Sequence, residues 1–449
     1  MNTGCKKTVA IIGGGVAGMV AARHLCDPSW GMSPTLFELS DSLGGTWVYT
    51  EKTGVDEYGL PIHSSMYKNL RTNLPKEVMM FPDFPHTKQG VSYMSNREIH
   101  QYLLDYAQHF NIKKCVKFRH YVKDISPCGS QWKIVVIDLK ANEERTYIFD
   151  AVILANGHNS VPAYPKIEGI QYFRGQTLHS HNYREPDGFR NQSTLLIGAG
   201  PSGLDMTFDL CSVSDHVVLS HHTDYASKVG FPPHVVLKPD VERVLRDGSV
   251  LFKDGSTMEF DVIVYCTGYE YTYPFLSESC GIKSDHKYVT PLYKRLININ
   301  HPTMAVLGVL RHTPIFYLSD LQVRYFLQTL MRPEVLPSKT EMLEELASEE
   351  AALVKDGRRI SEWNLLGEEN AEYMRDICSI AGVPPMPPIL LRIYMHGYNK
   401  IFSDFKNFRN NFYRIIDQDN FSVVDLREVL ARPVVRIHDN PSCRCGALI

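Results

Sequence analysis

Along this chain the hydrophobic and polar positions follow two rhythms, and twice they pass through the same succession of events. In TVAIIGGGVAGMVAARHL (residues 8–25) a β-branched run gives way to glycines and then to an Ala-rich stretch at helical spacing, which predicts strand, turn and helix. After Pro34 the run TLFEL predicts a second strand. It lies parallel to the first, because the stretch Val16–Cys26 supplies a crossover helix. STLLIGAGPSGLDMTFDL (193–210) repeats strand, glycine turn and helix, and HVVLS follows as its next strand.

Between and after these units the pattern changes. Residues 51–97 carry Pro, Gly, Tyr and Met without a steady period, which predicts an irregular layer folded over a ligand. Ser95 and Glu98 form a capping box ahead of the helix IHQYLLDYAQHF. QWKIVVID and RTYIFDAVILANG read as strands, the latter ending at Asn156 and Gly157. Asp254-Gly255 marks a hairpin, and the next apolar strand ends at Thr267-Gly268. MAVLGVL, from 304, predicts a strand returning to the first domain, followed by a helix beginning near Ser319 that carries Gln322 and Arg324. Ser338 and Glu341 cap a packing helix, and Pro384, Pro385, Pro387 and Pro388 break the tail. The aromatic-rich stretch Tyr394–Tyr413 suits either a substrate wall or a subunit contact.

These elements predict an α/β protein with two Rossmann-like dinucleotide-binding domains, the second inserted into the first. Residues 1–170 form the first part of domain one, 171–300 the inserted domain, and 301–449 the return with a C-terminal helical region. Composition narrows the partners. A net charge of −3 gives no field for gripping a polyphosphate backbone, so no nucleic-acid partner is expected. No stretch reaches the ~18 consecutive apolar residues of a membrane span. No hydrophobic segment precedes a cleavage site at the start, so the sequence as it stands reads as cytoplasmic, or as secreted had a leader been removed. The 10 cysteines are scattered, with only Cys443 and Cys445 close together. Without Cys-x-x-Cys or His-Glu-x-x-His, no metal site is expected.

The glycines carry the chemistry. Gly13 permits a tight turn, Gly15 lets a pyrophosphate approach the backbone, Gly18 lets helix and sheet close together, and Glu38 accepts ribose hydroxyls. Gly198, Gly200 and Gly203, with Ser202 among them, repeat this arrangement with a different ending. Around the equivalent of Glu38 stand Ser220, His221, His222 and Thr223, with no carboxylate before Asp224. A carboxylate there would repel a 2′-phosphate, so NADPH is favoured over NADH unless the histidines merely close a strand. Two dinucleotides in one chain imply electron transfer, from a nicotinamide to a tightly held FAD. A disulfide reductase shares that layout but needs a cysteine pair beside the flavin, which the sequence does not offer.

Taken together, GGGVAG (13–18), LGGTW (43–47), NLRTNLPKEVMMFPDFP (69–85), GAGPSG (198–203), YCTGYEYTYPFL (265–276) and the spacing of Phe173, Gly175, His179 and Tyr183 resemble the flavin-containing monooxygenase family, in particular its insect members. The resemblance implies that FAD and NADPH oxygenate a soft nucleophilic amine or sulfide with molecular oxygen, through a C4a-hydroperoxyflavin. It implies Asn73 as the amide donor at the reactive edge of the flavin, with Thr72 orienting it or touching cofactor. Gly45 and Trp47 would shape the flavin pocket, and Gln322 would approach the flavin from the returning helix. Within the family, Tyr183 argues against ketone-oxidising Baeyer–Villiger chemistry. His222 stands where members carry an arginine for the 2′-phosphate, leaving Thr223 as the matching hydroxyl, and Asn156 replaces a threonine. The substrate implied is a tertiary amine of the pyrrolizidine-alkaloid class. A broad xenobiotic N- or S-oxygenase is the alternative, and a non-catalytic FAD-fold binding protein a more distant one. A homo-oligomer is compatible with all of these.

Overall fold

The computed structural model describes residues 6–87 and 90–427. Cys443, Cys445 and the end of the expected third segment lie outside them.

The first strand, Lys7–Ile12, organises the larger sheet. Its register is parallel both to Met32–Glu38 and to Ala151–Leu154, and the sheet order is 292–293, 297–298, 304–306, 151–154, 7–12, 32–38, 116–118. The antiparallel pair Leu292–Tyr293 and Ile297–Asn298 finishes one edge, so the chain is back in this sheet before residue 300. Side chains alternate across the strand: Val9 and Ile11 join the core beneath the helices, while Ala10 and Ile12 join Trp132, Ile134 and Phe149 on the other face. Both faces are therefore covered, as a parallel sheet requires.

The helix α1 (Val16–Leu25) crosses over between the first two strands, and α2 (Asn96–His109) begins at the predicted capping box, with both hydrogen bonds of Ser95 and Glu98 present. RTYIFDAVILANG divides at Asp150. Glu143–Phe149 completes an antiparallel three-stranded sheet, whereas Ala151–Leu154 enters the parallel one. The Asp150 carboxylate makes the break by accepting from the Thr8 N–H at 2.7 Å and the Thr8 hydroxyl at 2.9 Å.

The inserted domain repeats the plan. Ser193–Ile197 leads into α3 (Pro201–Leu210), and an all-parallel sheet runs in the order 235–238, 216–220, 193–197, 262–265, 176–179. Its edge strand holds the 173–183 spacing. Gly175 is obligatory there, because a Cβ would lie 2.1 Å from the Asp261 carbonyl oxygen.

The returning strand, Met304–Val306, precedes α4 (Ile315–Met331), which starts a turn earlier than the expected Ser319 because Pro314 sets its N-terminus. Then follow α5 (Lys339–Lys355), α6 (Asn370–Ala381) and α7 (Pro388–Ser403). The aromatic-rich stretch runs from α7 into the hairpin Asn411–Ile415 with Phe421–Asp425. Its aromatic rings are largely internal, with Tyr394, Phe408 and Tyr413 all buried. No helix among the described residues is long and apolar enough to cross a membrane, and no cluster of His, Cys, Asp and Glu among them could hold a metal ion.

Candidate active site

The two glycine turns are superimposable in their bonding. The Gly13 N–H donates to the Phe37 carbonyl at 2.9 Å, and the Gly198 N–H donates to the Ser220 carbonyl at 2.9 Å. Gly13 and Gly198 have φ of +103° and +105°, and a Cβ on either would strike the backbone oxygen of Ala155 or Cys266. Gly18 and Gly203 close the helices on the turns, a Cβ falling 1.8 and 1.9 Å from the Gly13 and Gly198 carbonyl oxygens. Gly15 and Gly200 are not crowded: a Cβ on Gly15 would make an ordinary 3.6 Å contact with the Gly45 Cα, and one on Gly200 would meet nothing within 4 Å.

Helix capping supports a ligand at both turns. The helices α2 and α5 carry full capping boxes, whereas α1 and α3 begin at Gly15 and Gly200 with no side-chain cap. Their first N–H groups thus point into open space, where a pyrophosphate satisfies them and gains from the helix dipole. The residues present suit one dinucleotide at each turn. Gly45, with φ +55°, packs on Gly15 so closely that a Cβ would lie 2.8 Å from the Gly15 Cα.

Glu38 ends its strand beside the first turn. Its Oε2 accepts from the Gly14 N–H at 2.6 Å, and Oε1 accepts from the Ser40 N–H and hydroxyl, each at 2.8 Å. The register of the second domain sets His221 at the equivalent place, since Ile197 pairs with Ser220 as Ile12 pairs with Phe37. Burial lowers the His221 imidazole below its ordinary value, and its Nδ1 accepts from the Thr223 N–H at 3.2 Å. His222 points outward, with Nδ1 3.1 Å from Asp240 Oδ1, and Lys253 Nζ lies 2.9 Å from Asp240 Oδ2. Burial raises the Asp240 carboxyl, but Lys253 and His222 outweigh it and hold it below the usual range. This carboxylate, well beyond Asp224 in the chain, was invisible to the spacing.

Between the two turns lies a cavity of about 230 Å³ whose wall includes Trp47, Thr72 and Asn73 from the first domain and Ser202 from the second. Arg71, Asn159, Ser180 and Tyr269 also line it, and no carboxylate, imidazole or thiol does. Thr72 is buried, its hydroxyl accepting from the Met94 N–H at 3.1 Å, so this side chain fixes the strip that presents Asn73. Gln322 sits buried on α4. Its amide donates to the Tyr373 hydroxyl at 2.8 Å, joining α4 to α6, and it does not line the cavity.

Several site residues gave no sequence signal. Arg409, just after α7, donates to Asp205 through Nη1 at 2.6 Å and Nη2 at 2.9 Å, to Asn73 Oδ1 at 2.5 Å, and to the Thr72 carbonyl at 3.1 Å. The Tyr67 hydroxyl also donates to Asp205, at 2.6 Å. Arg184 is a buried cation held by carbonyl groups alone, those of Thr50, Lys52, Ser64, His181 and Tyr183, and ties the 46–66 loop to the interdomain passage. Tyr183 donates to Asp209 at 3.1 Å. No local spacing could connect residues so far apart in the chain.

Comparison with known proteins agrees with this geometry. Residues 6–226 and 227–402 match the model of the family described as FMO-like, flavin-binding monooxygenase-like. Senecionine N-oxygenase of Tyria jacobaeae is 34% identical over 419 residues, spanning 92% of this chain and 91% of that protein. Flavin-containing monooxygenase FMO GS-OX4 of Arabidopsis thaliana is 31% identical over 419 residues, spanning 90% of each. The structure of S-allyl-L-cysteine S-oxygenase from Allium sativum aligns with a TM-score of 0.83 at 30% identity, over 90% of this chain and 95% of that one.

Proposed function

This chain belongs to the flavin-binding monooxygenase-like family and is an FAD- and NADPH-dependent monooxygenase; from that premise we propose that it oxygenates soft nitrogen and sulfur centres of small molecules broadly, with no restriction to pyrrolizidine alkaloids. Once reduced by NADPH, the bound flavin supplies the transfer of one oxygen atom from dioxygen to the substrate. The protein supplies two cradles, an oriented amide and a shielded space.

The observation that carries this reading is the cavity wall. Trp47, Asn73 and Ser202 come from both dinucleotide units, and the wall carries no imidazole, thiol or carboxylate. Neutral donors such as the Asn73 amide stabilise a developing negative charge without titrating or delivering water-borne protons. With no carboxylate to hold an ammonium group, an amine has to enter uncharged, and a sulfide enters on equal terms. The similarity to an N-oxygenase at 34% identity and to an S-oxygenase at 30% supports the wider substrate class over the alkaloid alone. Asn73 is assigned as the catalytic donor and Thr72 as the residue that orients it. Glu38, Gly13, Gly15, Gly18, Gly45 and Trp47 are assigned to FAD, and Gly198, Gly200, Ser202, Gly203, His222 and Thr223 to NADPH.

The test is a pH series of oxygen transfer with a tertiary amine and with a thioether. The amine rate should rise tenfold per pH unit below its own pKa, while the thioether rate stays flat over the same range. Product from the amine alone would return the assignment to an amine-specific oxygenase, and product from neither would remove it.

A further inference from the structure

The structure assigns Arg409 as the positioning residue of the Asn73 amide, and through Asp205 makes that position depend on docking of the nucleotide-binding helix of the inserted domain; this rests on the reading of Asn73 given above. A carboxamide has two faces, an acceptor oxygen and a donor nitrogen, and which faces the cavity is set by its neighbour. Here the Arg409 guanidinium takes the Asn73 oxygen at 2.5 Å, so the NH2 group is the part left for the cavity. The same guanidinium grips both oxygens of Asp205 on α3, and its Nε holds the Thr72 carbonyl next to Asn73. Arg409 and Asp205 are both largely buried, with 16% and 12% of their side chains exposed. Arg71 secures the Arg409 backbone, donating to its carbonyl at 3.0 Å. Phe405 and Phe408 lie under the guanidinium plane at 5.5 and 4.6 Å, which fixes its orientation.

One planar cation therefore joins three parts of the chain: the strip carrying Asn73, the first turns of α3, and the segment after α7. Lysine keeps the charge but cannot supply this fork. The consequence is conditional geometry, in which the amide is held with its donor inward only while α3 is seated.

A double-mutant cycle on the FAD-loaded protein tests this, with hydrogen peroxide released per NADPH consumed as one readout. The second readout is the flavin absorbance change on adding NADP⁺, and the third is the melting temperature of the flavin-free protein. Arg409→Lys should raise peroxide about threefold or more with Asn73 present and change it little in Asn73→Ala, because coupled residues are non-additive. It should also shrink the NADP⁺-induced absorbance change, and any fall in the flavin-free melting temperature should be the same in both backgrounds. Asp205→Asn should reproduce both effects. Equal effects of Arg409→Lys on peroxide in the two backgrounds, or none in either, would overturn the assignment. Unchanged peroxide in Asn73→Ala alone would instead overturn the reading of Asn73, and this positioning role with it.

A separate observation carries a second inference. We infer that Cys26 and Cys115 form a peroxide-oxidisable pair. Far apart in sequence, their sulfurs lie 3.7 Å apart where Cys26 caps the C-terminal end of α1 and Cys115 leads into the strand Val116–Phe118. Both are half-buried free thiols. The hydrogen bond between the two thiols lowers Cys26 below its ordinary value and raises Cys115; at Cys26 burial opposes this and Lys114 assists. The Cys26 thiolate attacks hydrogen peroxide, giving a sulfenic acid and hydroxide. The Cys115 thiol then displaces that hydroxyl as water, so two thiols and one peroxide become one disulfide and two waters. Peroxide treatment, alkylation and peptide mass mapping should show both thiols protected together and a linked pair of peptides, absent in Cys26→Ser and in Cys115→Ser. Full alkylation of both after peroxide, or overoxidation of Cys26 without a link, would refute the pair.

Discussion

The Gly14 N–H donates to Glu38 Oε2 at 2.6 Å, so the acid that ends the second strand is bonded to the very turn it serves. Ser40 occupies both acceptor positions of Oε1, which leaves Oε2 the one free lone pair for a ribose hydroxyl. Charge-assisted bonds of this kind contribute roughly 1.5–3 kcal/mol each. Glu38→Gln turns an NH2 group against an N–H donor on one side or the other, and FAD affinity measured by flavin fluorescence should fall about tenfold or more.

Gly200 and Gly203 stand three residues apart and should respond oppositely. Gly203→Ala drives a Cβ to within 1.9 Å of the Gly198 carbonyl oxygen and should cost about 1–3 kcal/mol of stability in denaturant unfolding. Gly200→Ala meets no protein atom within 4 Å. Its melting temperature should hold, while NADP⁺ binding measured calorimetrically weakens, because the methyl group occupies the approach of the phosphates.

Asp240 sits between His222 and Lys253 at the place expected to face the 2′-phosphate. Its charge opposes that of the phosphate while occupying the Lys253 ammonium and the His222 ring nitrogen that could meet it. Asp240→Asn should lower the KM for NADPH about threefold or more and leave NADH unaffected, with the difference shrinking at high salt. Equal changes for both nucleotides would place the phosphate elsewhere.

Burial holds the imidazoles of His86, His158, His179 and His312 near 4, against an ordinary 6.5. Below pH 6.5 the unfolded chain binds protons that the folded chain refuses until about pH 4, so stability is lost as pH falls through that window. The melting temperature should therefore decline from pH 6.5 to 4. Replacing His158, whose Nδ1 lies 2.7 Å from the Gly308 carbonyl oxygen, by Asn should flatten part of the slope.

The sequence by itself determined the two strand–glycine–helix units, the parallel sheets, the capping boxes at Ser95 and Ser338, and the acid at Glu38. Each of these depends on residues close together in the chain, where steric demand at φ above zero or helical periodicity leaves few options. Only the tertiary structure decided that Gln322 meets Tyr373, that Asp240 stands beside His222, that Cys26 meets Cys115, and that Arg409 holds Asn73. Those partners are brought together by packing of whole sheets and helices, and a side chain's direction is then set by hydrogen-bonding groups that no local spacing encodes.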